Sequence, residues 1–206
     1  MECELGDFDR AEAYLGTLLG AEHWEAWSGA ADPLAIALCG RIAGNARWPE
    51  AMKARIAQML VSYPRMAPMG TLMCRMALGV VAVEGGDVAA VREQYAALDA
   101  MPRAPRVWWE IHCIGRLLGV MAHHIGEPEK AAAHFEEALA FCRQAGYRPE
   151  LAWTCCDYAD LLLERNSPGD HERAMALLDE GLAISREMGM KPLMERILSR
   201  RKILKA

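Results

Sequence analysis

Residues Gly6, Ala46, Gly86 and Gly126 stand 40 positions apart, and a further glycine, Gly169, follows 43 positions later. Similar neighbours accompany each anchor. Five residues on are Ala11, Ala51, Val91, Ala131 and Ala174. Nine residues on are Leu15, Arg55, Tyr95, Phe135 and Leu178. Before the third and fourth anchors, Leu78-Gly79 and Leu118-Gly119 occupy matching places. A fixed period of this length signals a stack of like supersecondary units, each burying its apolar face only against its neighbours. That one feature excludes most single-core folds.

The units read as helical. Alanine, leucine, methionine, glutamate and arginine dominate, and all are good helix formers. Only three phenylalanines and few β-branched runs occur, which argues against a sheet. Ala131, Phe135, Ala138, Leu139 and Cys142 share one helical face, with Glu129, Lys130, Glu136, Glu137 and Arg143 opposite. Ala174, Leu177, Leu178, Gly181, Leu182 and Ile184 repeat that face. Prolines cluster near expected helix starts, where a missing N–H costs nothing. Gly85-Gly86-Asp87 and Gly169-Asp170 pair a permissive glycine with a capping carboxylate. Each unit is therefore a helix A, a tight turn and a helix B. The A helices fall near 33–44, 67–84, 106–125 and 150–165. The B helices fall near 7–19, 49–62, 87–100, 127–144 and 170–188. Gly79, Gly119 and Ala159 allow close helix approach, and the large residue of helix B fills the gap between units. The second unit is degenerate, with Arg55 where an apolar residue is expected.

The expected fold is an all-α, right-handed α-solenoid of antiparallel helix pairs. It occupies 1–206 as a single array, closed by a capping helix at about 191–204 with Leu193, Ile197 and Leu204 facing inward. Gly6-Asp7-Phe8 is a turn into a B helix with only five residues before it, so the chain is expected to be a piece of a longer array with an open first face suited to self-association.

These residues resemble tetratricopeptide repeats. Leu118-Gly119, Gly126, Ala131, Phe135 and Ala138 carry the pattern best, and Leu78-Gly79, Gly86, Val91, Tyr95 and Leu98 follow it. The period exceeds the family's usual length of about 34 residues, which marks a longer, divergent type. The run from Leu151-Ala152-Trp153 through Tyr158–Leu163 and Ala174–Ile184 to Glu187–Leu193 is similar to the C-terminal helical region of large bacterial regulators of the MalT-like and cyclase–ATPase kinds. The resemblance implies a protein or peptide partner, including an intramolecular one: a fused ATPase, cyclase or DNA-binding module. No Walker A sequence is present.

The family's groove positions, carried over residue by residue, give Met73, Met76, Val80 and Val83 on one A helix. Cys113, Arg116, Val120 and His123 come from the next, and Trp153, Cys156, Asp160 and Leu163 from the last. This implies an apolar, sulfur-rich surface with one cation and one anion, suited to an amphipathic helix or extended peptide. Trp108 and Trp109 are adjacent, so they face different sides, and Trp109 joins the candidate contacts with Arg103 and Arg106. The alternative is an effector-sensing arm binding a small molecule or peptide in the groove.

No enzyme is expected. His112 and His123 share a helix face but stand about 16 Å apart, too far for one metal. Asp157, Asp160 and Glu164 share a face and read as a solvated edge. Cys155 and Cys156 diverge on a helix. None of the seven cysteines makes a Cys-x-x-Cys, so no zinc or redox motif appears and no cofactor is implied. The odd count and acidic start suit the cytoplasm. The net charge of −5 gives no general pull toward nucleic acid. The basic tail from Lys191 has six cations and one acid, and it reads as favourable helix C-terminal charge. No stretch is long and apolar enough to span a membrane.

Overall fold

The computed structural model describes residues 2–20, 31–44, 53, 56, 57, 60, 68–100 and 114–203. Its described residues are all-helical, with no strand, and fall into two compact units, residues 1–100 and 101–206.

The first unit holds α1 (Glu2–Leu5), α2 (Phe8–Gly20), α3 (Ala31–Ala43), α4 (Pro68–Glu84) and α5 (Val88–Asp99). Helix α4 packs against both α3 and α5, so a helix apolar nearly all round is what its position requires. Its turn into α5 follows from the sequence Gly86-Asp87. Gly86 adopts φ +68°, and the Asp87 carboxylate accepts the Ala90 N–H at 3.0 Å. The same chemistry opens α2, where Gly6 has φ +80° and Asp7 accepts from the Arg10 N–H at 3.3 Å. Each such cap contributes on the order of 1 kcal/mol. The B helix expected at 49–62 lies largely outside the described residues, as do Ala46 and Arg55.

The second unit holds α6 (Ile114–His124), α7 (Pro128–Ala145), α8 (Arg148–Arg165), α9 (Asp170–Met188) and α10 (Lys191–Ile203). Consecutive helices pack as antiparallel neighbours. The A-type helices α6, α8 and α10 also pack side by side. The B-type helices α7 and α9 are instead bridged by long side chains, through Arg143–Glu180 and Arg173–Glu136. The result is two layers, tighter on the A side. Between them lie Leu118, Met121, Phe135, Leu139, Leu162, Leu178, Leu193 and Ile197, all fully buried. Leu204 and the start of the expected 106–125 helix lie outside the described residues.

Gly119 shows why a small residue is needed in helix A. A Cβ there would sit 2.8 Å from Cδ1 and Cε1 of Phe135. Phe135 in turn stacks on Tyr158 of the next helix pair, with ring centroids 5.3 Å apart. One aromatic thus locks a helix pair internally and joins it to its neighbour.

The last turn is longer than the others. Gly126 (φ +79°) closes the α6–α7 turn; 40 positions on, Asn166 (φ 50°) caps α8, and Gly169 (φ +86°) stands at the start of α9, followed by the buried Ala174 and Leu178 at the spacing that Ala131 and Phe135 keep from Gly126. Asparagine tolerates the left-handed region better than other side chains. Ser167-Pro168-Gly169 is a three-residue insertion after it, which accounts for the step of 43. Asp170 organises the insertion by accepting from the Ser167 N–H at 2.9 Å and from the Arg165 guanidinium at 2.7 and 2.8 Å.

Candidate functional site

The A-helix layer of the second unit carries a continuous chain of charged side chains. It begins on α6 at Arg116. The guanidinium donates through Nε to Glu150 at 2.7 Å and through one terminal nitrogen to Asp157 at 2.9 Å, both on α8. Asp157 uses its second oxygen to accept from Arg196 of α10 at 3.1 Å. Arg196 also donates to Asp160 at 2.9 Å, and Arg200 holds Asp160 at 2.8 and 3.2 Å. The indole of Trp153 meets both inner cations, with Arg116 Cζ 6.0 Å and Arg196 Cζ 5.9 Å from its centroid.

Helical spacing places these groups. Glu150, Trp153, Asp157 and Asp160 follow one another at three or four residues, and so do Arg196 and Arg200. The inner end of the chain is dry: the side chains of Arg116, Glu150 and Asp157 are 9%, 4% and 2% exposed. Burial works against the Arg116 charge, but the two carboxylates outweigh it and hold the guanidinium above its ordinary range. Arg196 behaves alike, with Asp157 and Asp160 offsetting its burial. Exposure grows outward through Asp160 and Arg200. Farther along the same layer, His123 Nε2 lies 2.8 Å from a carboxylate oxygen of the exposed Glu164.

The sequence-derived candidates separate under this geometry. Arg116, Trp153 and Asp160 join one network, though Arg116 and Asp160 do not pair with each other. His123 flanks it, and Val120 is buried on α6. In the first unit, Met76 and Val80 are buried and Met73 and Val83 half-buried. Met76 and Val80 lie in the core, on a helix packed from two sides. Cys156 is fully buried, and burial pushes its thiol up to about 12. Leu163 is half-buried. Trp109, with Trp108, Cys113, Arg103, Arg106 and His112, lies outside the described residues.

Two expectations are corrected. Asp157 and Asp160 are not a solvated edge, and the basic tail is not only a solvated helix end. Arg196 and Arg200 engage those aspartates, and Arg201 pairs with Asp179 at 3.0 Å. A surface that read as one cation and one anion among apolar groups is, in the second unit, an alternating ion ladder. Among the described residues, no cluster of His, Cys, Asp and Glu could hold a metal, and no helix is long and apolar enough to cross a membrane.

A two-layer stack of helix pairs with an internal repeat defines a helical-repeat scaffold. A tetratricopeptide-repeat family model matches residues 110–187, from the A-type helix α6 to nearly the end of α9. The second unit thus contains a tetratricopeptide-repeat region, a fold whose general use is to present a surface to protein or peptide partners. No curated protein and no solved structure matches the chain.

Proposed function

We propose that the chain is a non-catalytic interaction module that works in the cytoplasm as the C-terminal regulatory arm of a larger signalling or transcriptional regulator. On this reading residues 1–206 form one array, and the partner is a protein or peptide, including a module fused to the same polypeptide. The observation that carries it is the repeat match over 110–187 on a scaffold whose A helices lie side by side. The regulator context rests on the resemblance of 151–193 to such proteins.

The ladder supports a particular kind of surface. Its dry inner half, Arg116–Glu150–Asp157, fixes the A helices relative to one another. The more exposed groups, His123, Asp160, Glu164 and Arg200, are on this reading the ones a partner would meet, and their exposure supports it. A rigid polar rim of this sort sets specificity more than affinity.

The test is immunoprecipitation of the native gene product from its source cells, beside a Glu164→Lys, His123→Glu variant. A specific co-precipitating protein that the variant loses, while retaining its helicity, supports the reading. Retention of that protein by the variant refutes the assigned face. An immunoblot showing a product near 23 kDa refutes the larger regulator. Thermal stabilisation by a small metabolite, with no protein recovered, favours an effector-sensing arm instead.

A further inference from the structure

The helix pairs α6–α7 and α8–α9 are joined differently on their two sides. On the A side the joint is dry, with the buried Arg116 of α6 held by the buried Glu150 and Asp157 of α8. On the B side α7 and α9 are tied by two ion pairs that water reaches. Arg143 donates to Glu180 at 2.6 and 3.2 Å, and Arg173 donates to Glu136. These four side chains are between 34% and 49% exposed.

The two straps form a matched set. Glu136 and Arg143 stand seven residues apart on α7, and Arg173 and Glu180 stand seven apart on α9. Seven residues is about two turns, so each helix carries one acid and one base on a common edge, about 10 Å apart. The order is acid then base on α7 and base then acid on α9, and both pairs span 37 positions. Sliding one helix by two turns would set Arg143 against Arg173, or Glu136 against Glu180, so the pattern admits a single register. Tyr158 of α8 anchors one strap independently. Its hydroxyl donates to Glu136 at 2.8 Å, its ring stacks on Phe135, and Arg173 Cζ lies 5.7 Å from the ring centroid. Glu136 therefore keeps a partner when Arg173 leaves, and the α7–α8 contact does not rest on the strap.

Salt acts on the two joints unequally. The Debye length falls from about 10 Å at 0.1 M to about 3 Å at 1 M, and exposed charges are screened far more than buried ones. Exposed pairs add little to stability, so the fold survives their loss. We propose that the B-side straps are a salt-released latch: at high ionic strength Arg143 and Arg173 let go, and the α8–α9 pair swings on the dry A-side joint so that α9 moves away from α7. Such a hinge has one fixed edge and one that opens. No partner is needed, because the ionic strength of the surroundings sets the angle between the two helix pairs.

The experiment places nitroxide labels at Ala140 on α7 and Ala183 on α9, both exposed, in the full chain, through encoded p-acetylphenylalanine so that the native cysteines stay untouched. Pulsed electron–electron double resonance reads their separation at about 0.05 M and about 1 M sodium chloride, and hydrogen exchange of α6 and α8 amides reads the A side. The expected result is a longer and broader distance at high salt, with α6 and α8 protection unchanged. Arg143→Gln with Arg173→Gln is expected to show the long distance at both salt levels. Arg143→Glu alone should lengthen the distance at low salt, and adding Glu180→Arg should restore the short one. A distance that either salt or the glutamine variant leaves unchanged, a charge swap that fails to restore it, or a loss of α6 and α8 protection in step with the opening overturns the proposal.

Discussion

Replacing Arg116 with methionine removes the innermost cation of the ladder and leaves two carboxylates facing its former site. Their side chains are 4% and 2% exposed, so water does not readily take over. Each attraction is worth about 4 kcal/mol gross at 4 Å and an effective dielectric near 20. Desolvation cancels much of that in the intact pair, but removing one partner leaves the other's desolvation uncompensated, at about 3–5 kcal/mol. Asp157 keeps Arg196, so the larger share falls on Glu150. Trp153 also loses one of its two guanidinium contacts. Arg143→Met is the matched control. Its bidentate pair with Glu180 has bonds of 3.2 and 2.6 Å but is 47% and 34% exposed, so its loss should stay below about 1 kcal/mol. Native-state hydrogen exchange of amides in α6 and α8, beside urea unfolding followed by helicity, reads both numbers and places them in the second unit. A loss for Arg116→Met no larger than that for Arg143→Met would refute the claim that the inner ladder is dry and structural.

Other changes follow from the same packing. Gly119→Ala drives a Cβ to 2.8 Å from the Phe135 ring and should cost about 1–3 kcal/mol despite better helix propensity, whereas Gly115→Ala, with its nearest contacts at 3.3 Å, should be close to neutral; urea midpoints compare them. Val80→Glu buries an unpaired carboxylate at a fully enclosed site and should cost on the order of 4 kcal/mol, seen as lost helicity in the first unit rather than as a stable chain with altered binding. Burial, then the hydrogen bond to Glu136, raises Tyr158 from 10 to about 12. The folded state therefore holds this proton more tightly than the unfolded one, and its contribution, full below pH 10, should fade as pH climbs toward 12; thermal melts beside phenolate absorbance follow it. At the acid end, Arg165 followed by the Ser167 N–H holds Asp170 below its ordinary value, so its contribution is present above the unfolded carboxylate's range and lost as pH falls through the folded value; Asp170→Asn should abolish that acid-side slope.

Helix positions were legible in the sequence because each rests on local chemistry. Gly86-Asp87 predicts a turn and cap wherever it occurs, and the alternation of Phe135 with Glu136 and Glu137 fixes a face. The α4 and α8 boundaries fall within two residues of the expected ones. The ladder was not legible by that route, since its partners meet only when the units stack. Its trace is nevertheless in the numbering. Arg116–Asp157, His123–Glu164, Asp157–Arg196, Asp160–Arg200 and Arg148–Glu187 are separated by 41, 41, 39, 40 and 39 positions, and Arg143–Glu180 by 37. Opposite charges about one repeat apart are neighbours across adjacent units. Reading Asp157 and Arg196 each within its own helix hid the pairing, because a charge beside like charges looks solvated until the next unit is laid on it. Asn166 was not legible for a related reason: Gly169 carries the spacing to the buried Ala174 and Leu178, while the left-handed cap of α8 falls three residues earlier on a side chain that does not announce it.

The most direct measurement of the central claim, that the A-helix layer is the interaction face, is site-specific photo-crosslinking in the source cells. A benzophenone side chain is placed at Glu164 on the A layer and, for comparison, at Glu172 on the exposed side of α9. A discrete protein adduct from Glu164, or an internal crosslink to a fused module, is expected, and none from Glu172. An adduct only from Glu172, or none from Glu164 in a well-expressed and folded chain, would contradict it.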